Sequence, residues 1–268
     1  MSADPAAAKT FEEFVALIAR LRAPGGCPWD REQTHQSVKP MTIEEAYEVA
    51  EAIEKGDDRA LVGELGDLLL QVVFHAEIAA GEGRFTIDDV VGHVSEKMVR
   101  RHPHVFGQAS ADTPGQVLLQ WEQVKAAENA ARDGALPASM LDSVSAGLPA
   151  VMEAFQMTTK AARVGFDWRD APAVMAKLDE EVAELKEALR APEAAAAVAE
   201  EIGDLLFVSI NVARVLGLDP ESALKASNRK FRRRFKYIED RLREGGRRPE
   251  DATADEMDAL WEESKRSE

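Results

Sequence analysis

Acidic residues recur at helical spacing in the second half of the chain. Glu181 and Glu184 are three residues apart, and so are Glu201 and Asp204. A step of three residues returns to the same face of an α-helix, so each pair presents two carboxylates side by side. If the two helices pack antiparallel, the carboxylates face one another, and their repulsion requires a cation. Oxygen ligands favour Mg²⁺ and also suit Mn²⁺.

The same acidic pattern occurs in the first half of the chain, at Glu45, Glu48, Glu64 and Asp67. Residues 63–70 also align with residues 200–207, so a tandem duplication is the simplest explanation. A single Glu-x-x-Glu is usually a solvated helix face, but two sets with apolar neighbours favour metal binding. Because glycine within a helix costs about 1 kcal/mol relative to alanine, we expect Gly66 and Gly203 to allow close helix contacts beside the clusters.

One strongly basic segment, residues 229–236, stands out in this chain. Lys230 and Arg234 are four residues apart, so one helix face can present both to the outer phosphates of a nucleotide. The alternative is a solvated face that balances nearby acids. Trp168 and Trp261 are either core residues or stack on a nucleotide base.

The composition restricts the class of protein. The 268 residues carry 33 basic and 49 acidic side chains, a formal net charge of −16, which argues against a nucleic-acid polymer as the main partner. Cys27 is the only cysteine, so an internal disulfide is excluded and a reducing compartment is favoured. We find no apolar run of membrane-spanning length and no signal-peptide pattern, and we expect a soluble cytoplasmic protein without membrane contact.

The candidate residues need helices that hold them in place. Apolar residues recur at helical rather than alternating spacing, so the predicted fold class is all-α. Residues 134–149, with their glycines and prolines, separate two predicted helical domains, 1–134 and 147–268. Residues 24–30 are predicted to form a loop. The predicted helices cover roughly residues 11–21, 42–55, 58–81, 86–101, 113–132, 151–163, 172–190, 193–216, 221–243 and 253–265.

Taken together, the motifs resemble one protein family. Besides the paired acidic motifs, the chain contains Cys-Pro-Trp-Asp at residues 27–30 and Arg-Arg-His-Pro-His-Val-Phe-Gly at residues 100–107. This combination is similar to the MazG family of all-α nucleoside triphosphate pyrophosphohydrolases, and the similarity covers nearly the whole chain. It implies tandem helical-bundle domains, a homodimer, and Mg²⁺-dependent hydrolysis of nucleoside triphosphates to monophosphates and pyrophosphate.

The resemblance also implies roles for individual residues. The metal ligands would be Glu181, Glu184, Glu201 and Asp204 in the second copy, and Glu45, Glu48, Glu64 and Asp67 in the first. The residues in contact with the nucleotide would be Lys177, Lys230, Arg234 and Trp261. We expect a metal-activated water to attack the α-phosphorus, with Glu181 and Glu201 central to catalysis. Glu180 or Glu200 could help to remove the proton from that water.

The two copies differ in their basic residues. The first has only Lys97, Arg100 and Arg101 where the second has the denser run at residues 229–236. Lys177 precedes Glu181 by four residues, whereas Met41 stands at the matching position before Glu45. An anion site that lacks a cation should bind a triphosphate less well. We therefore predict that the second copy is the main catalyst.

Two other functions are compatible with acidic helices. A di-iron carboxylate bundle needs Glu-x-x-His on two helices, and the only instance is Glu32 to His35. The other is a regulatory module that binds nucleotides without hydrolysing them. His75 and His93 are scattered along the sequence, and the pattern assigns neither of them a role.

Overall fold

A computed structural model describes residues 9–133, 139–190 and 195–267. The chain divides into two compact units, residues 1–134 and residues 135–268. The predicted boundary residues Gly134 and Pro137 lie outside the described residues. The same is true of Glu193, where a helix was predicted to begin.

The regular secondary structure of the first unit is entirely α-helical in the described residues. Its helices are α1 (Phe11–Arg22), α2 (Pro28–Glu32), α3 (His35–Lys55), α4 (Asp58–Gly81), α5 (Ile87–Arg101), α6 (Pro103–Phe106) and α7 (Pro114–Asp133).

The second unit is also helical in the described residues, with two short 3₁₀ turns at Met140–Ser143 and Pro249–Asp251. Its helices are α8 (Ala150–Arg163), α9 (Ala171–Ala188), α10 (Ala195–Val215), α11 (Pro220–Glu244) and α12 (Ala254–Arg266). The described part of the chain contains no strand, and the predicted all-α class is confirmed. None of the described helices is both long and apolar enough to span a membrane.

Side-chain caps explain where the acidic helix of the first unit begins. We predicted a start near Thr42, and this is wrong, because α3 begins at His35. The side chain of Thr34 accepts a hydrogen bond from the backbone N–H of Ser37, and the backbone N–H of Thr34 donates one to the Ser37 hydroxyl. Such a reciprocal cap satisfies N–H groups that a helix leaves unpaired at its start. The predicted loop at residues 24–30 is also partly wrong, because α2 begins at Pro28.

A short turn joins the two acidic helices of the first unit. Gly56 ends α3 with φ 64°, a left-handed conformation that glycine adopts without steric cost. The Asp57 side chain then accepts hydrogen bonds from the first backbone N–H groups of α4. Because so few residues separate them, α3 and α4 run antiparallel as a hairpin. Helices α9 and α10 pack against each other in the second unit in the same way.

Each hairpin is fixed by a hydrophobic core at one side. In the first unit, Ile18 of α1, Val38 of α3 and Ile87 of α5 surround buried residues of α4, including Val73 and Phe74. In the second unit the buried apolar residues come from α8, α9, α10 and α11: Ala154, Val174, Val208, Ile238 and Leu242. The clustered glutamates of each hairpin lie on the same two helices but do not belong to these cores, except that Glu181 is itself buried.

A chain of hydrogen bonds ties α3 to α4 at the end of the hairpin that lies away from the turn. His35 Nδ1 lies 2.8 Å from His75 Nδ1, and His75 Nε2 lies 3.2 Å from the Thr42 hydroxyl. Arg84 can only donate, so its contact with His35 Nε2 places the proton of His35 on Nδ1. His35 therefore donates to His75, and His75 donates to Thr42. Burial, followed by the nearby His35, lowers the pKa of His75.

The expected role of two helix glycines is wrong. Gly66 and Gly203 are both exposed, and a Cβ built on either meets no atom of the described residues within 4 Å. The helices of each hairpin pack through other faces, so neither glycine is needed for a close approach between them.

Candidate active site

The second hairpin gathers three carboxylates. Glu181 and Glu184 of α9 and Glu201 of α10 each offer an oxygen, and these oxygens all lie within 4.8 Å of one another. Asp204 is one helical turn beyond Glu201 but does not belong to this group of three. It is exposed, and its charge still acts on Glu201.

Glu181 is the buried member of the cluster, with only 4% of its surface exposed. Its Oε1 accepts a charge-assisted contact from Lys177 Nζ at 2.8 Å. Its Oε2 is buried and has no hydrogen-bond partner among the residues that the structure describes. An unsatisfied buried carboxylate oxygen is costly, and a cation beside it removes that cost. Together with the all-oxygen donor set, this atom fits a hard divalent ion.

The charges of the cluster act on Glu201. The pKa of Glu201 is raised from its ordinary value of 4.5, first by desolvation and then by Glu184, Glu181, Asp204 and Glu200. The ionised form is therefore disfavoured when the acids stand alone. A cation at this position would reverse the effect.

The first hairpin repeats the arrangement. Oxygens of Glu45, Glu48 and Glu64 lie within 4.8 Å of one another, and Asp67 is again outside the group of three. Desolvation and then the charge of Asp67 raise the pKa of Glu45. Desolvation and then the charge of Glu48 raise the pKa of Glu64. Both units thus carry an acidic cluster with the same donor set.

The two clusters differ in the cation beside them. Lys177 lies 2.8 Å from Glu180 Oε1 as well as from Glu181 Oε1, and these contacts raise its pKa. It therefore offsets part of the negative charge of the second cluster. Met41, at the matching position of the first unit, instead packs against the hydrophobic core.

The basic segment lies on α11, next to an aromatic group on α12. The Arg234 guanidinium lies over the Trp261 ring, 5.5 Å from its centre, and the Phe231 ring lies 5.3 Å from that of Trp261. Lys230 is exposed one turn before Arg234. This surface offers an aromatic face and positive charge together, the two features by which a nucleotide is bound.

The remaining predicted residues have distinct surroundings. Glu180 is exposed and paired with Lys177, and Glu200 is exposed. Trp168 is half-buried in the loop before α9, where its backbone N–H donates to Asp167. The Asp167 carboxylate in turn pairs with Arg214 of α10, which anchors this loop to the hairpin.

The first unit has its own guanidinium and indole pair. Arg101 lies over Trp121 at 5.2 Å, and His102 meets the edge of the same ring at 5.1 Å. Arg100 and Arg101 begin the Arg-Arg-His-Pro-His-Val-Phe-Gly segment at residues 100–107. The structure adds Glu128 of α7, which contacts both Arg100 and Arg101.

Comparison with known proteins identifies the family. The MazG nucleotide pyrophosphohydrolase domain matches the chain twice, at residues 33–106 and 170–238. The chain belongs to the MazG family. The resemblance inferred from the motifs is thereby confirmed.

Two named relatives match nearly the whole chain, and a third matches about half of it. A protein of Thermotoga maritima, named nucleoside triphosphate pyrophosphohydrolase/pyrophosphatase MazG, is 46% identical over 95% of this chain and 95% of its own length. The nucleoside triphosphate pyrophosphohydrolase of Escherichia coli K12 is 43% identical over 96% of this chain and 97% of its own. One of the same name from Mycobacterium tuberculosis is 41% identical over 57% of this chain and 45% of its own.

The matched MazG segments contain both acidic clusters, and the second also contains Lys230 and Arg234. Trp121 and Trp261 lie beyond the matched segments. They lie on α7 and α12, the last described helix of each unit.

Some residues of interest were missed in the sequence. Glu128 follows Trp121 by seven residues, two helical turns, so the spacing could have placed both on one face. His35 and His75 are forty residues apart, and only the packing of α3 on α4 brings them together. No local pattern could have found that pair.

The di-iron alternative loses its only sequence support. Glu32 ends α2 and His35 begins α3, so the two residues do not share a helix. Within residues 9–133, 139–190 and 195–267, the two groups of three clustered ligands consist of glutamates and contain no histidine.

Proposed function

We propose that this protein is a nucleoside triphosphate pyrophosphohydrolase, which converts a nucleoside or deoxynucleoside triphosphate and water to the monophosphate and pyrophosphate. The names of its full-length relatives support this reaction. The observation that carries the proposal is the buried, unsatisfied Glu181 Oε2 within a cluster of three carboxylates. We take residues 1–134 and 147–268 as the two domains.

The second cluster is the proposed metal centre. Glu181, Glu184 and Glu201 would hold one or more divalent ions, with Asp204 completing the set after a change of side-chain rotamer. Mg²⁺ is the proposed ion and Mn²⁺ suits the same oxygens. When bound, such ions neutralise phosphate charge and lower the pKa of the attacking water.

The protein's own residues orient the substrate. Lys177 holds Glu181 Oε1, so the other oxygen of that carboxylate keeps its direction. Lys230 and Arg234 bind the outer phosphates and stabilise the charge of the departing pyrophosphate. Trp261 stacks on the base, with Phe231 supporting the indole. Trp168 is a second candidate for stacking.

Proton removal needs a carboxylate outside the metal set. In the proposed reaction, water attacks the α-phosphorus, the bond to the bridging oxygen breaks, and pyrophosphate leaves. Glu180 and Glu200 are the candidate acceptors of the water's proton. Glu180 Oε1 lies 2.8 Å from Lys177 Nζ, and the same Nζ contacts Glu181, so Glu180 is held beside the cluster.

We propose that the second unit is the main catalyst. Among the described residues, Lys177 lies beside the buried Glu181, whereas Met41 takes the matching place in the first unit. The first cluster retains three acids and is proposed to bind a cation with weaker substrate affinity.

The assembly and location are also proposals. Exposed apolar side chains such as Leu206 and Leu224 border an apolar cavity of about 450 Å³ between α8, α10 and α11. Because large exposed apolar patches commonly mark protein–protein interfaces, this surface supports a homodimer. The single free cysteine, Cys27, supports a reducing compartment such as the cytoplasm.

The deciding experiment is a panel of nucleoside triphosphates assayed for pyrophosphate, with and without Mg²⁺. Glu201→Gln should abolish product release while the helical circular dichroism spectrum stays intact. Glu64→Gln, its counterpart in the first unit, should retain most of the activity. Binding of nucleotides without any pyrophosphate would instead favour a sensing module. Full turnover by Glu201→Gln would refute the assignment of the site.

A further inference from the structure

Two arginines of the first unit converge on a single carboxylate. Arg101 donates to Glu128 Oε2 from Nε at 3.0 Å and from Nη2 at 2.5 Å, and Arg100 Nε donates to Glu128 Oε1 at 3.2 Å. The Arg101 and Glu128 side chains are only 14% and 22% exposed. Both oxygens of Glu128 are therefore occupied by guanidinium donors, of which Arg101 is largely buried and Arg100 half exposed.

The same guanidinium also covers an aromatic ring. Arg101 lies 5.2 Å from the centre of Trp121, as Arg234 lies 5.5 Å from Trp261 in the second unit. A pair of arginines beside an indole can bind a phosphate chain and a base together. In the first unit, Glu128 takes the position where such an anion would be bound.

We propose that Arg100, Arg101 and Trp121 form a binding site for a nucleoside polyphosphate in the first unit, and that Glu128 blocks it by occupying the anion position. The identity of the ligand rests on the proposed function, whereas the blocking contact rests on the geometry alone. Carboxylate and phosphate oxygens accept the same charge-assisted hydrogen bonds, so the two compete directly for the arginines.

The contacts keep this competitor ionised. Hydrogen bonds from Arg101 lower the pKa of Glu128, with further contributions from Arg100. At neutral pH the triphosphate must therefore displace a full negative charge. Removal of the Glu128 charge frees the donors of Arg100 and Arg101 that now point to its carboxylate.

The alternative is that the ion pair only fastens α5 to α7. A fastening role predicts that removal of the Glu128 charge lowers the stability and leaves the affinity for nucleotides unchanged. A blocked site predicts a gain in affinity.

The experiment measures binding to the full chain, not turnover. The background carries Lys230→Ala and Arg234→Ala, which weaken the second unit. The probe is adenosine triphosphate with a methylene bridge between its α and β phosphates, titrated calorimetrically in the presence of Mg²⁺. Glu128→Gln should raise the affinity at least about tenfold. Adding Arg101→Ala should remove that gain, which places the binding in the first unit.

A matched control separates blocking from net charge. Glu96 contacts Arg100 at 3.6 Å and its side chain is 76% exposed, so Glu96→Gln removes the same charge without opening the site. An equal gain with Glu96→Gln, or no gain with Glu128→Gln, would overturn the proposal. A gain for adenosine, which has no phosphate, would overturn it as well.

Folding of each variant is checked by its circular dichroism melt, and Glu128→Ala replaces Glu128→Gln if the latter does not fold. Because the readout is binding, loss of the proposed hydrolysis in the parent protein leaves this test unaffected. The two proposals can thus fail separately.

Discussion

Lys177 Nζ lies 2.8 Å from Glu181 Oε1, and the other oxygen of that buried carboxylate has no hydrogen-bond partner among the described residues. This lysine is the main difference between the two clusters. Its removal should therefore make the second cluster resemble the first, which we propose to be less active. Lys177→Met should reduce kcat/KM for pyrophosphate release about 10- to 100-fold, the usual effect of losing a partner that orients a metal ligand.

The control for this change is Lys186→Met, on the same helix. Lys186 is exposed and should be replaceable without effect on kcat/KM. Unchanged turnover in Lys177→Met would show that Glu181 needs no orienting partner.

Divalent ions should stabilise the fold in a manner that depends on pH. The pKa of Glu201 and of Glu64 is raised above 4.5, so the folded state holds these protons more tightly than the unfolded state does. The metal-free protein should therefore lose stability as the pH rises above 4.5, with the full loss present above the raised values. Mg²⁺ should restore it at neutral pH, where the acids are ionised.

The measurement is the melting temperature with and without Mg²⁺ at several pH values. The increment caused by Mg²⁺ should shrink at acid pH, because protonated carboxylates do not bind it. It should also shrink in a Glu64→Gln, Glu201→Gln double variant. An increment of equal size in that variant would show that Mg²⁺ acts elsewhere.

The histidine pair should make the first unit sensitive to acid. The pKa of His75 is lowered from 6.5, so the unfolded state takes up a proton more readily than the folded state. The stabilising contribution is complete above pH 6.5 and is lost as the pH falls from there through the lowered pKa. Protonation of His75 would also place two donors against each other at its contact with His35.

This prediction is tested by urea unfolding at pH values from about 5.5 to about 8. The free energy of unfolding should fall towards acid pH, and His75→Gln should reduce that slope. His93→Gln, at an exposed position of α5, should leave the slope unchanged. Equal slopes in the parent and in His75→Gln would contradict the assignment.

Alanine should be tolerated where glycine was expected to be essential. A Cβ at Gly66 meets open space, so Gly66→Ala should raise the free energy of unfolding by about 0.5 to 1 kcal/mol through helix propensity. Gly63→Ala, also open and on the same helix, is the matched comparison. A decrease for Gly66→Ala with a gain for Gly63→Ala would reveal a contact at Gly66 that develops outside the single unit.

The acids show what local spacing can and cannot predict. Steps of three residues placed Glu45 with Glu48 and Glu181 with Glu184, because a single helix fixes those relations. The spacing of residues within one helix does not determine how that helix is rotated about its axis relative to its partner. Asp67 and Asp204 were therefore predicted as equal members of the clusters, whereas the structure keeps both outside the groups of three.

Helix boundaries show the same limit. Thr86 caps α5 and a helix from Thr86 to Arg101 was predicted, in agreement with the structure. At α3 the apolar pattern pointed to Thr42, but the Thr34 cap begins the helix earlier and thereby brings His35 towards His75. The start of a helix depends on the capping geometry of a single side chain. The apolar periodicity of a long segment gives no information about that geometry.

Each trio of glutamates is supplied by two helices that follow one another in the chain, α3 with α4 and α9 with α10. Contacts between neighbouring helices close only short loops, so these hairpins should form early during folding. Their formation gathers like charges before the rest of each unit has packed. Divalent cations should therefore accelerate folding, as well as stabilise its product.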